Sequence, residues 1–296
     1  LESTDNIMVS VSHTTRPMRN GEIDGQDYHF TDVPRFRQMI ADNAFLEHAQ
    51  VFDNFYGTSR SSALDRMKHG MDVILEGGFP LKSAILVEAP PGTGKTTFCK
   101  QFIAEGLAEG QECIYVATSE PVVQAIEGFK ALGLEDTSGV RFVDGYSWRI
   151  PEERAEPAPN IAVLDSLTEL NDLTRVLKKQ ATPGMKKSGG RVVIDSLSDM
   201  LLYAEPARVF KFLQLFIGLV KGANLVAVVV LEEGLHEPRH VATISYICDG
   251  TIHFRLEGDR RSIYVERMFN TVHPLQWIPF TIGRGGVEIS AKGFFE

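Results

Sequence analysis

The 296-residue sequence is short of several things, and each shortage removes a class of protein. It lacks a basic excess: the formal net charge is −9. Residues 1–76 hold seven Lys/Arg against twelve Asp/Glu and the remainder holds 23 against 27, so neither part has the cation surplus with which proteins wrap nucleic acid. It has three cysteines, Cys99, Cys113 and Cys248, with neither paired nor metal-type spacing. Free buried thiols in a reducing cytosol are expected, Cys99 on a helix and the other two in apolar strand-like runs. His236, His240, His253 and His273 are scattered, so no His/Cys metal site is expected. Long apolar runs are missing too: "FLQLFIGLV" and "GANLVAVVVL" are parted by Lys221 and too short to span a bilayer. There is no signal-peptide pattern, and the chain begins at Leu1 rather than Met, as a fragment or processed chain would. No internal repeat of useful length is present. What remains, 43% hydrophobic and 23% charged, suits a soluble globular protein with one large domain and something smaller.

"AILVEAPPGTGKTTFCKQFIAEGLAEG" reads as strand, loop, helix. Residues 89–96 match a phosphate-binding loop with Ala at the first glycine position. Gly92 and Gly94 let the backbone turn its N–H groups toward an anion at the helix N-terminus. Lys95 reaches the β- and γ-phosphates of ATP, and the Thr96 hydroxyl is placed to ligate Mg2+. Phosphate contacts are expected from Gly92, Thr93, Gly94, Lys95, Thr96 and Thr97. The second carboxylate for Mg2+ is expected at the end of a neighbouring strand. "GGRVVIDSLSDML" offers Asp195 and "NIAVLDSLTEL" offers Asp165. The more uniformly β-branched run favours Asp195, leaving Asp165 to cap the amphipathic helix that follows. Glu120, where "ECIYVATSE" meets a helix, could orient or deprotonate the attacking water, or could serve only the helix dipole. Strand–helix alternation from residue 82 to about 235 argues for a mostly parallel sheet with helices on both faces. "DGTIHFRLEGDRRSIYVERMF" alternates as an antiparallel hairpin turning at Gly258-Asp259. Lys178, Lys179, Lys186 and Lys187 flank "QATPGM" and read as a solvated helix end and loop rather than a DNA contact. "RIPEERAEPAPN" reads as a surface loop.

With "GGFP", "APPGTGKTTF", "YVATSE", "VVIDSLSDML" and "YVERMFNTVH…PFTIGRGGVEI" on view, residues 77–290 resemble a KaiC-like ATPase of the RecA superfamily. That resemblance implies a RecA-like P-loop core, ATP and Mg2+ as ligands, and a ring or filament of copies. In that family an acidic pair after "YV-T" supplies the catalytic carboxylate; the pair here is Ser119-Glu120, which leaves Glu120. The family also projects a Lys-x-Arg pair from the late hairpin into a neighbour's ATP. Arg267 stands at the Lys position and Phe269 at the Arg position, which implies slow hydrolysis.

The residues in front have a different chemistry. "VSVSHTTRPMRNGEIDGQDYHF" offers Ser12, Arg16, Arg19 and Tyr28, and guanidinium forks beside hydroxyls suit a phosphate monoester. "FLEHAQVFDNFYGTSR" adds Glu47, Tyr56 and Thr58, and a carboxylate facing purine N–H groups reads guanine. From composition alone, a solvated polar loop between strands would also serve. Residues 1 to about 76 resemble the GMP-binding region of guanylate kinases around "TTRPMRNGEIDGQDYHF". The resemblance implies that Arg16, Arg19, Tyr28 and Tyr56 hold the GMP phosphate, and Ser12, Glu47 and Thr58 the guanine. A guanylate kinase places its phosphate loop before this region and an Arg-rich lid after it. Here "VILEGG" keeps Glu76 of the acid-x-acid pair, has Gly78 at its second position, and runs straight into "GGFPLKSAILVEAPPGTGKTT". "GMDVILE" is a seam at which both families write the same letters.

The expected architecture is therefore α/β, a RecA-like core over residues 77–296 with a C-terminal antiparallel hairpin, preceded by a small α+β GMP-binding segment over residues 1–76. The leading functional expectation is a cytoplasmic ATP-binding, slowly hydrolysing switch for an unidentified partner protein. A kinase passing the ATP γ-phosphate to GMP is the alternative, and a non-catalytic fusion or scaffold is the third.

Overall fold

The computed structural model describes residues 13–19, 22–24, 28–42, 44–51, 54–59, 75, 78–150, 158–271 and 273–289. The chain separates into two compact units, Leu1–Gly78 and Phe79–Glu296. Leu75 and Gly78 are the described residues of the seam; Glu76 and the loop 151–157 lie outside the described residues.

Among the described residues the first unit is a four-stranded sheet with one helix. Its strands are β1 (His13–Thr14), β2 (His29–Phe30), β3 (Phe45–Val51) and β4 (Asn54–Ser59), in the order β2-β1-β4-β3. The helix Val33–Ala41 starts where the Asp32 side chain accepts from the Arg35 N–H at 2.7 Å, with Pro34 in the first turn where no donor is needed. The helix buries Phe36, which stacks on Phe45 at 4.4 Å between ring centroids. Gly57 of β4 makes this possible, because a Cβ there would lie 2.8 Å from the Phe45 ring.

The second unit is built on ten strands: β5 (Ser83–Ala89), β6 (Glu112–Ala117), β7 (Val140–Asp144), β8 (Ile161–Val163), β9 (Gly190–Asp195), β10 (Leu225–Glu232), β11 (Gly250–Glu257), β12 (Arg260–Met268), β13 (Ile278–Gly283) and β14 (Gly286–Ile289). They lie in the order β14-β13-β12-β11-β5-β10-β9-β6-β7-β8. From β8 through β11 every neighbouring pair is parallel, and β11 to β14 are antiparallel. Strands buried on both faces read as continuous apolar runs, and "LVAVVVL" of β10 is buried throughout. One set of alternate residues, including Leu86, Ile114, Ile194 and Val229, forms a single core with the helices Leu170–Gln180 and Pro206–Gly222. The helix Lys95–Ala108 packs on β6 and β9, and the helix Val122–Ala131 packs beside it. The β11–β12 hairpin turns at Gly258-Asp259, where Gly258 supplies the positive φ of 64°.

Three local expectations differ from the structure. Asp165 caps no helix: the helix begins at Leu170 with Glu169 at its N-cap, because Ser166 and Thr168 close their own hydroxyl-to-backbone turn first. Cys248 is not in a strand but follows the helix Pro238–Ile247 as its C-cap. The strand that ends in Asp195 is not beside the loop strand, since β10 lies between β5 and β9.

Candidate active site

The phosphate loop leaves β5 at Ala89 and enters the helix Lys95–Ala108 through two left-handed glycines, Gly92 at φ 77° and Gly94 at φ 107°. At φ 107° any L side chain on Gly94 would be strained, and its Cβ would also press on Ile282 Cδ1 of β13, 2.5 Å away. As the N-cap Gly94 offers no side-chain acceptor, so no side chain caps the helix's first-turn N–H groups, a position suited to an anion. Thr93 is buried and donates to the Pro90 carbonyl at 2.9 Å. Thr97 continues the helix. Lys95 is 5% exposed; its ammonium donates to the Ala89 and Pro90 carbonyls at 3.0 and 2.7 Å and pairs with Glu232 at 3.0 Å. Glu232 ends β10, and its N–H is held by Ser198 Oγ, which also contacts His236 Nε2 at 2.8 Å.

Across β10, Asp195 at the end of β9 is buried, and burial raises its pKa. Hydrogen bonds from the Tyr115 hydroxyl, at 2.9 Å, and from the Thr96 hydroxyl work the other way. The two residues expected to hold Mg2+ thus meet directly. A buried tyrosine hydroxyl needs a partner, and Asp195 is that partner. Glu120 follows β6 at the same end of the sheet, close enough for its charge to raise Asp195 further. Its Oε1 lies 2.7 Å from Lys100 Nζ.

The ends of β6 and β9 are laced by residues that pattern did not single out. Thr118 exchanges hydrogen bonds with Ser196, Ser119 donates to Asp199 at 2.7 Å, and Arg149 reaches both Asp199, at 3.2 Å, and the Thr118 carbonyl. Arg149 also lies against the rings of Tyr146 and Tyr203. Asp199 lies in the first turn of the helix Leu197–Tyr203, just beyond the strand end at Asp195, and that position was its one signal. Arg267 does not project away from its own chain: its guanidinium donates to the Ser245 and Cys248 carbonyls at 2.6 and 3.0 Å, capping the helix Pro238–Ile247. Phe269 is 64% exposed.

In the first unit, Arg16 forms a two-pronged pair with Glu22, at 2.7 and 3.0 Å, and is hydrogen-bonded to Tyr56. Its guanidinium lies 5.3 Å from the Tyr28 ring, and the Arg19 N–H donates to the same Glu22 at 2.7 Å. Three of the four expected phosphate residues, Arg16, Tyr28 and Tyr56, are therefore side by side, with Arg19 linked through Glu22. Arg16 and the Arg19 N–H hold the Glu22 carboxyl below the usual carboxylate range. Of the guanine set, Glu47 and Thr58 stand directly opposite each other in the β3–β4 ladder. Ser12 lies outside the described residues, as do the side chains of Glu47 and Thr58. Lys178 and Lys179 are exposed at a helix end; the side chains of Lys186 and Lys187 are outside the described set. Among the described residues no helix is long and apolar enough to cross a membrane, and no group of three or more His, Cys, Asp or Glu could hold a metal ion.

A phosphate loop opening a helix beneath a mostly parallel sheet, with an acidic strand end two strands away, defines a P-loop ATPase fold of the RecA type. A solved KaiC-like protein from the hyperthermophilic archaeon Pyrococcus horikoshii shares this fold, with a TM-score of 0.57 and 23% identity over 75% of this chain and 95% of its own. The family model described as ATPase, KaiC matches residues 67–293, and the chain belongs to that family. The guanylate kinase model matches residues 2–77, so the two overlap at the seam that includes "GMDVILE". The guanylate kinase of Saccharophagus degradans is 58% identical over 76 residues, 26% of this chain and 37% of its own length. That of Psychrobacter arcticus is 57% identical over 76 residues and 36% of its length. The chain thus spans little more than a third of these relatives. The guanylate kinase of Clostridium perfringens is 34% identical over 158 residues, 53% of this chain and 69% of its own.

Proposed function

We propose that the second unit binds ATP with Mg2+ at the phosphate loop and hydrolyses it slowly, as a nucleotide-dependent switch for a partner protein, while the first unit holds GMP. The observation that carries the reading is the meeting of Thr96 with the buried Asp195, beneath a helix N-terminus left open for an anion. Lys95 would exchange Glu232 and the loop carbonyls for the β- and γ-phosphates. Thr96 and Asp195 are the residues that would hold Mg2+, which would supply positive charge against that of the phosphates. Glu120 would take the proton of the attacking water. Slow turnover is supported by the engagement of Arg267 with its own helix end and by Phe269 in the place of a cation.

For the first unit, Glu22 occupies the fork of Arg16 as a phosphate would. GMP would displace that carboxylate, with Arg19, Tyr28 and Tyr56 completing the phosphate contacts and Ser12, Glu47 and Thr58 reading the base. This arrangement also supports the second reading, phosphoryl transfer from ATP to GMP. The two differ in the acceptor. ATP, Mg2+ and GMP are incubated with the full chain, and GDP is quantified against free phosphate. Free phosphate forming at a rate indifferent to GMP supports the ATPase; GDP rising in step with ADP replaces it with the kinase. Lys95→Ala should lower either activity by about 100-fold or more, since removing one donor to transition-state charge costs about that much. Unchanged turnover in this variant would remove the nucleotide reading altogether. Self-association into a ring or filament is tested by measuring solution mass with and without ATP.

A further inference from the structure

Lys100 is an oddity in its helix. "FCKQFI" is otherwise the buried side of the helix Lys95–Ala108, with Phe98, Cys99, Phe102 and Ile103 all in the core. A lysine in such a run ordinarily reaches out to water along its methylenes. Lys100 does not: its side chain is 7% exposed, and its ammonium ends 2.7 Å from Glu120 Oε1. Space for it is cleared by Gly128 of the facing helix Val122–Ala131, where a Cβ would fall on Nζ. An interior glycine weakens a helix, so leaving this room has a cost of its own.

The position of the pair is specific. Thr96 and Lys100 are four residues apart and share one helix face. Thr96 meets Asp195 from that face, and Asp195 feels the charges of both Lys100 and Glu120. Glu120 Oε1 is fully buried and meets no neighbour with hydrogen-bond geometry, so Lys100 holds it as an ion pair, while the Glu120 side chain keeps 24% exposure elsewhere. Ion pairs in the interior contribute little to stability against apolar alternatives, because desolvation offsets their attraction. Stability is therefore a poor reason for this one.

We infer that Lys100 is a positioning residue for ATP hydrolysis, holding Oε1 of Glu120 so that Oε2 is presented to the attacking water. The inference deepens the reading of Glu120 given above and rests on it. In the step itself, water oxygen bonds to the γ-phosphorus as the bond to the β–γ bridging oxygen breaks. ADP leaves with that electron pair, and the water proton passes to Glu120 and then to solvent. Lys100 touches none of the reacting atoms. Its ammonium fixes the rotamer of the carboxylate that does, and small errors in such placement reduce rate more than binding.

The test is steady-state ATP hydrolysis by the full chain with Mg2+, for Lys100→Met, Lys100→Arg, Gly128→Ala, Glu120→Gln and the Lys100→Met/Glu120→Gln double variant. Lys100→Met should lower kcat about tenfold, with KM for ATP within about twofold, because the loss is of orientation and not of uniform binding. Lys100→Arg should recover part of that loss. Gly128→Ala presses on the Lys100 side chain from Cδ to Nζ, with no backbone among the nearest atoms it meets, and alanine is the better helix former, so it should fold and should lower kcat in the same sense. The double variant should be no slower than Glu120→Gln alone, since a residue that acts through Glu120 has nothing left to position. The inference is overturned if Glu120→Gln slows hydrolysis while Lys100→Met and Gly128→Ala do not, or if the two losses multiply in the double variant. Should Glu120→Gln leave kcat unchanged, Glu120 is not the water-activating group, and the underlying reading fails first.

Discussion

At the residue scale the site shows a conflict between holding a metal and folding without one. Asp195 is 4% exposed, and burial raises its pKa even though Tyr115 and Thr96 hydrogen-bond to it. A group whose folded-state value lies above its unfolded value contributes stability at pH below the unfolded value and loses that contribution as pH rises through the folded one. Ionised, Asp195 is therefore a burden on the fold that Mg2+ would relieve. Asp195→Asn should raise the nucleotide-free melting temperature by about 2–4 °C, the shift that about 1 kcal/mol makes in a domain of this size. It should also abolish the further rise that MgATP gives the parent protein, which follows from ligand binding to the folded state alone. Differential scanning fluorimetry at pH 7.5 reads both. A lower melting temperature in Asp195→Asn would mean that the hydrogen bonds to the carboxylate outweigh its desolvation. These residues were open to reading because their chemistry is local: a glycine-rich turn, Lys95, Thr96 and a strand ending in Asp195 sit within short stretches of sequence. Lys100, Arg149 and Glu232 were not, because each acquires its role from a partner between 20 and 137 residues away.

Whole elements were legible where their hydrophobic period was clean and less so where ends are set by capping. The parallel strands and the Gly258-Asp259 hairpin follow from continuous apolar runs and from alternation. The start of the helix at Leu170 did not follow, since Ser166 and Thr168 satisfy each other in a turn that pattern alone does not separate from an N-cap. Nor could spacing show that β13 and β14 come back to the phosphate loop. There Ile282 closes on Gly94, and Gln101 bonds both the N–H and the carbonyl of Val287. Arg267 belongs to the same lesson. Resemblance gives it to a neighbouring copy's nucleotide, and within its own chain the hairpin register brings it to the C-terminus of the helix Pro238–Ile247. A cation bonded to terminal carbonyls is stabilising there. Arg267→Ala should then cost about 1–2 kcal/mol, seen as a lower urea midpoint at unchanged m-value. A variant with an unshifted midpoint, but with hydrolysis that no longer rises with protein concentration, would return Arg267 to a role between copies.

At the scale of the whole molecule, two compact units resemble two nucleotide-handling families, and the family matches overlap at residues 67–77. Their resemblances stop and start within the same few letters, so composition and periodicity alone would have passed over the junction. Whether the two chemistries work together is a question about coupling, and one side chain asks it cleanly. Arg16 grips Glu22 with both prongs and bonds to Tyr56, which is the arrangement a phosphate monoester would take over. Its removal should weaken GMP binding by about 10- to 100-fold, the equivalent of about 1.5–3 kcal/mol for hydrogen bonds to a charged group. Arg16 belongs to the first unit, while Lys95, Thr96, Glu120 and Asp195 all belong to the second. If the units act separately, Arg16→Ala loses GMP in a calorimetric titration, and its ATP turnover, measured with and without GMP, matches that of the parent. If GMP accelerates turnover in the parent and Arg16→Ala removes that acceleration, GMP is either the acceptor or an effector. The appearance of GDP then separates the two: with GDP the chain is a phosphotransferase, and without it GMP acts on the switch by a coupling free energy that must be reciprocal, so that ATP would tighten GMP binding by the same factor.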